Sequence, residues 1–178
     1  MEGRRRRSVR LPAHDYTSPG AYFLTICTAH RVCLFGSVRN QDVVLSKLGV
    51  LADVLWRQAP SHVEGIDLDA FVVMPNHLHA IVVIPGDGRG TACRAPTEAR
   101  PETFSHPRKG SLATLVRSYK SAVTKEAGRI LGIREVWQRG FYEHVVRGRI
   151  QLLRVRDYIE NNPIRWATDD YFRPGGLP

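Results

Sequence analysis

The stretch FVVMPNHLHAIVVI, residues 71–84, constrains the fold more than any other part of the chain. Two β-branched, apolar runs flank the turn signal Pro75-Asn76, so 66–74 and 77–84 are expected to pair as a hairpin. Side chains alternate across a strand, which puts His77 and His79 on one face and Leu78 and Ala80 on the other. Two imidazoles at i, i+2 on a strand that otherwise favours burial can converge on one divalent ion. Satisfied core histidines are the alternative. Two nitrogens leave most coordination positions open, so a metal site here requires a further protein ligand from elsewhere.

The other periodicities fill in a fold around that hairpin. Residues 21–29 are rich in aromatic and β-branched types and predict a strand, which 31–38 would turn and extend. Across 46–58, Leu48, Leu51, Val54 and Leu55 form a helical stripe, with Ser46 as N-cap and Pro60 ending it. A second helix starts at Ser111, with Leu112, Leu115, Tyr119 and Val123 as its stripe, and 135–147 predict a fourth strand. A third helix runs from Arg149 to about Asn162, stopped by Pro163. The order β-α-β-β-α-β plus a final helix fits an α+β ferredoxin-like sandwich: an antiparallel sheet with helices on one face and a working surface on the other. The chain's 178 residues, 43% of them apolar, suffice for one core. The organisation expected is a basic flexible arm at 1–20, a folded domain at 21–167 with a long Gly-, Pro- and charge-rich loop at 85–110, and an irregular tail at 168–178.

Charge narrows the partner. Twenty-six Lys and Arg against 17 Asp and Glu leave +9. That excess points to nucleic acid, with a merely basic surface as the alternative. Arg4, Arg5, Arg6 and Arg7 form a dense arm that could follow a phosphate backbone. No run reads as a membrane span or a signal peptide. Cys27, Cys33 and Cys93 fit no zinc spacing, so a reduced, cytoplasmic setting without membrane association is expected.

The third helix supplies candidates for the rest of the site. Arg154, Tyr158 and Asn162 fall at i, i+4, i+8, one stripe, while Leu152, Val155 and Ile159 lie on another flank and can pack on the body. An Asn carboxamide oxygen is an acceptable hard ligand for Mg²⁺ or Mn²⁺. Tyr119 lies in an apolar stripe, and the other tyrosines have no polar partner at helical spacing or lie in the arm. A phenol has a pKa of about 10 and is a weak nucleophile near pH 7. A divalent ion that polarises a phosphate would offset this and permit attack by Tyr158. The covalent phosphotyrosine would keep the bond energy, which suits breakage and joining of a single DNA strand better than hydrolysis. Arg154 could contact the phosphate, and Arg117 and Lys120 could lie along DNA.

The blocks MPNHLH, SLATLVRSYKSAVTKEAG, VWQRGFYEHVVR and RDYIENNPIRWA resemble, in that order, those of REP-associated tyrosine transposases, which are single-tyrosine HUH transposases related to the smallest insertion-sequence transposases. The resemblance spans 21–167. It implies a ferredoxin-like catalytic domain, Mg²⁺- or Mn²⁺-dependent cleavage and joining of single-stranded DNA, REP-type hairpins as the recognised sequence, and a 5′-phosphotyrosine with a free 3′-OH. Carried over by position, His77 and His79 are the metal ligands, Asn162 the helix-borne third ligand, and Tyr158 the nucleophile. The assembly implied is a monomer or a homodimer. Two other readings remain open: a nonenzymatic single-stranded nucleic-acid-binding protein on the same fold, and a metal-dependent hydrolase that uses water.

Overall fold

The structure, a computed structural model, describes residues 18–86 and 111–172. In chain order the elements are β1 (Gly20–Cys27), β2 (Gly36–Arg39), β3 (Asp42–Leu45), α1 (Lys47–Gln58), β4 (Asp67–Met74), β5 (His77–Ile84), α2 (Leu112–Leu131), β6 (Tyr142–Val146) and α3 (Gly148–Glu160). The main sheet has the order β4-β5-β1-β6, antiparallel throughout, which is the ferredoxin-like α+β arrangement.

Alternation along the strands divides the two faces. Tyr22, Leu24 and Ile26 of β1 and Leu78, Ala80 and Val82 of β5 point into one core with Leu48, Ala52 and Trp56 of α1 and Leu112, Leu115, Tyr119 and Val123 of α2. Each such fully buried large side chain contributes about 1.5–3 kcal/mol relative to exposure. The helix starts follow local chemistry. Ser46 accepts from Gly49 N at 3.0 Å and Ser111 from Thr114 N at 3.3 Å, each taking up a backbone donor with no intrahelical partner. Gly49 also lets α1 approach the backbone just before β2, because a Cβ there would lie 2.0 Å from Phe35 O.

The sequence expectation fails in two places. Residues 31–38 do not extend β1; the chain turns away, and β2 pairs with β3 as a separate two-stranded sheet. The Asn40-Gln41 turn that closes this hairpin has positive φ at both residues, 51° and 69°, a geometry that matches strand twist. The fourth strand is also shorter than 135–147. Only Tyr142–Val146 pairs continuously, because the chain bends at Gly140 (φ 76°), and Trp137 makes an isolated bridge to Thr28.

The second face of the sheet carries the histidines. Thr25 sits opposite His79 and Cys27 opposite His77 in the β1–β5 register. Here α3 packs on β4 and β5, burying Ile159. The guanidinium of Arg156 pins it by bidentate hydrogen bonds to the Asp69 carboxylate of β4.

Candidate active site

Register and alternation bring His77 and His79 together, with ring centroids 4.4 Å apart and both side chains buried. Each ring is held at Nδ1. His77 Nδ1 lies 2.9 Å from Asn76 Oδ1, and His79 Nδ1 lies 2.9 Å from Thr25 Oγ1. The orientation of Asn76 follows from its other partners, since its amide nitrogen donates to Arg31 O at 3.0 Å and Tyr171 O at 2.8 Å. Its Oδ1 therefore accepts from His77, which fixes the proton on Nδ1 and leaves a lone pair on Nε2. That Nε2 is buried and has no hydrogen-bond partner.

Three more side chains close on the pair from the C-terminal side. The Tyr158 hydroxyl, on α3, lies 3.2 Å from His79 Nε2 and 3.5 Å from Asp169 Oδ2. Its ring meets Phe23 edge-on at 6.0 Å. Asn162 sits two residues beyond the end of α3, one turn after Tyr158, and is fully buried. It donates through Nδ2 to Asp169 Oδ2 at 3.0 Å, while its Oδ1 is buried without a partner. One ligand atom each from His77, His79 and Asp169 lies within 4.8 Å of the others. Asp169 reaches this position because the chain reverses after a short 3₁₀ turn, Trp166–Thr168. Arg31 Nη1 donates to Asp170 O at 2.9 Å, and its guanidinium lies 4.8 Å from the Tyr171 ring. Tyr171 in turn packs on His77 at 4.7 Å.

Burial governs the protonation states. It pushes His77 down to about 3, with Arg31 adding to the effect and the neighbouring Asn162 side chain offsetting part of it. Burial and the neighbouring His77 hold His79 well below its usual value. Burial, then the Asp169 carboxylate, push the Tyr158 phenol up to about 12. Both histidines are thus neutral and able to offer a lone pair, and Tyr158 is a phenol at neutral pH.

The His77 shift carries a stability consequence. The unfolded chain takes up a proton at this residue below about pH 6.5, whereas the folded chain resists until about pH 3. The folded-state value is depressed, so the stabilisation is complete above pH 6.5 and is lost as the pH falls, by about 1.4 kcal/mol per pH unit from this group. Denaturant titrations at pH 7, 6 and 5 with a chelator present should record at least this slope, because His79 is depressed in the same direction. A flat profile would mean that His77 is solvated.

The remaining expected residues lie outside this cluster. Arg154 is exposed on α3. Arg117 and Lys120 lie on α2, against the opposite face of the sheet, and Lys120 donates to Gln138 O at 2.6 Å and Gly140 O at 2.8 Å. Arg4, Arg5, Arg6, Arg7, the loop 87–110 and Cys93 lie outside the described residues; Cys27 and Cys33 are free thiols. Among the described residues no helix is long and apolar enough to cross a membrane. Two contributors, Asp169 and Thr25, had no motif to announce them, and Asn76, inside MPNHLH, was read only as a turn residue. The available signal for Asp169 was an acidic pair following a turn, seven residues beyond Asn162.

Comparison with known proteins agrees with the architecture. No protein-family model matches the chain. An uncharacterized protein of Haemophilus influenzae (strain Rd) is 39% identical over 170 residues, covering 94% of this chain and 93% of that protein. Among solved structures, a REP-associated tyrosine transposase bound to a REP hairpin superposes with a TM-score of 0.59 at 18% identity, covering 88% of this chain and 74% of that one. The chain therefore belongs to the family of the Haemophilus influenzae protein, and its fold is that of a REP-associated tyrosine transposase.

Proposed function

We propose that this chain is a transposase-type enzyme that cuts and rejoins single-stranded DNA at hairpin-bearing sequences of REP type, through a covalent bond to Tyr158. The observation that carries this reading is the pair of buried, unpartnered lone-pair atoms, His77 Nε2 and Asn162 Oδ1, beside a phenol 3.2 Å from His79 Nε2. An unsatisfied buried polar atom costs about 1–3 kcal/mol. Two of them, together with a carboxylate, form a donor set suited to a hard divalent cation such as Mg²⁺ or Mn²⁺. His77, His79, Asn162 and Asp169 would hold it. When bound, the ion supplies Lewis acidity that polarises a phosphate and stabilises charge developing on it.

The protein's own groups do the rest. Asn76 and Thr25 aim the two imidazoles through their Nδ1 atoms, an outer shell of the kind that tunes metal sites. Helix α3, tied to β4 by Arg156, presents the Tyr158 oxygen. In the reaction that oxygen attacks phosphorus, the bond from phosphorus to the 3′-oxygen breaks, and the proton given up by the phenol passes to the leaving oxygen to make a free 3′-OH. The phenolic proton has an acceptor in Asp169 Oδ2, at 3.5 Å. A second 3′-OH attacking the 5′-phosphotyrosine reverses these changes and rejoins the strand.

The test is to incubate the protein with a hairpin-bearing single strand and Mn²⁺ or Mg²⁺, then denature it. A protein–DNA adduct is expected. Cutting without an adduct would favour hydrolysis by water, and binding without cutting would favour a nonenzymatic binder. A further expectation concerns Asp169: Asp169→Asn should weaken Mn²⁺ binding about tenfold or more, a loss comparable to disturbing a ligand's support. Titration calorimetry checks this, and unchanged affinity would exclude Asp169 from the ligand set.

A further inference from the structure

A basic furrow lies at the sheet edge, where the short β6 leaves residues 135–140 outside the main sheet. Two grooves meet on 137–139. The first, about 400 Å³, runs between Arg31 and Glu135, and the second, about 540 Å³, runs along α2 past Arg117 and Lys125. Trp137 and Arg139 line both. Each volume is in the range of a small-ligand site, large enough for a nucleotide and too small for a duplex.

The furrow connects to the histidines through stacked groups. Tyr171 packs on His77 at 4.7 Å, and the Arg31 guanidinium lies 4.8 Å over Tyr171, at the mouth of the first groove. From there Arg139, then Lys125 and Arg117, continue a row of cations in which, among the described residues, Glu135 is the one acid lining either groove. Trp137 is half-buried. Its ring is braced from below by Phe35 at 5.1 Å and Tyr119 at 5.5 Å, and its Nε1 is tied to Lys120 O at 3.1 Å. Lys120 Nζ also lies 6.0 Å from the ring centroid. A braced, half-buried indole that lines both grooves among cations is suited to stacking an unpaired base beside a phosphate track.

We propose that this furrow binds unpaired nucleotides of the DNA strand that enters the Tyr158 site, with bases stacked on Trp137 and phosphates on Arg139 and Lys125. The proposal rests on the reading above that the substrate is single-stranded DNA. It adds a binding site on the α2 side of the sheet edge, remote from the reacting atoms.

The test uses the full chain with a fluorescent oligothymidylate of about 20 nucleotides and a blunt duplex of equal length. The single strand should bind more tightly than the duplex and should quench tryptophan emission. Trp137→Phe should remove that quenching. Lys125→Glu with Arg139→Glu should weaken single-strand binding about tenfold or more at 0.1 M salt and flatten the log–log salt slope by about 1.4, near 0.7 per lost phosphate contact. Arg39→Glu with Lys47→Glu makes the same change in net charge on the β2–β3 hairpin and α1, and should change affinity less than threefold. Equal losses in both double variants, or equal binding of duplex and single strand, would overturn the furrow. The adduct assay separates it from the reaction. If an adduct forms but Lys125→Glu with Arg139→Glu binds like the wild type, the furrow fails and the reaction stands. If that variant alone loses affinity and no adduct forms on any strand, the furrow stands and the reaction fails.

Discussion

Replacing Tyr158 with Phe should abolish the protein–DNA adduct, lowering strand cleavage by about three orders of magnitude or more, as removal of a covalent nucleophile does in enzymes that depend on one. DNA affinity should remain near that of the wild type, because the substitution deletes one oxygen and keeps the ring against Phe23. The folded chain should tolerate the loss, since the hydroxyl's contacts are a 3.2 Å approach to His79 and a long one to Asp169. Tyr119→Phe is the matched control. Its hydroxyl donates to Ala52 O at 3.2 Å inside the core, so its loss should cost about 1 kcal/mol of stability and leave cleavage intact. Gel analysis of denatured reactions reads both variants, and the opposite pattern would assign the chemistry to a different tyrosine. With the Tyr158 phenol pushed up to about 12, the wild-type rate should also climb as the pH rises from 7 to 9, because the reactive phenolate becomes more accessible.

The second large effect concerns the cation. A divalent ion that binds only the folded protein stabilises it by RT ln(1 + [L]/Kd), about 2.7 kcal/mol at a hundred times Kd. Wild-type protein should therefore melt at a higher temperature with millimolar Mn²⁺ than with a chelator. His77→Ala should lose that increment and with it the adduct. The variant removes a ring packed between His79, Tyr171 and Trp166, so its melting point in chelator should fall as well. The informative quantity is thus the ion-dependent difference, not the absolute melting temperature. An unchanged increment in His77→Ala would locate the ion elsewhere.

Much of this architecture was legible in the chain itself. Period-two alternation around Pro75-Asn76 fixed a hairpin and put both histidines on one face, because a strand offers only two sides. The stripe through Leu112, Leu115, Tyr119 and Val123 assigned Tyr119 to the core, and Ser46 and Ser111 marked helix starts through their side-chain oxygens. The i, i+4 spacing of Tyr158 and Asn162 put both groups at one end of α3, although Asn162 lies just past the helix, in a turn where its carboxamide can point inward. Where local patterns were interrupted the reading failed, at the β2–β3 hairpin and along 135–147, because a strand-like composition does not reveal which edge, if any, a segment will pair with.

Local pattern alone thus determined the alternation that pairs His77 with His79 and the helix that offers Tyr158, with Asn162 one turn further on. Only the tertiary structure decided that Asp169 joins them, that Asn76 sets the His77 tautomer, and that Thr25 supports His79. Those contacts join residues up to about a hundred positions apart, as Asn76 to Tyr171 does, and no periodicity carries information over that distance. The direction of each proton equilibrium was decided there too, since a strand or helix becomes dry only when the sheet, α3 and the returning chain close over it.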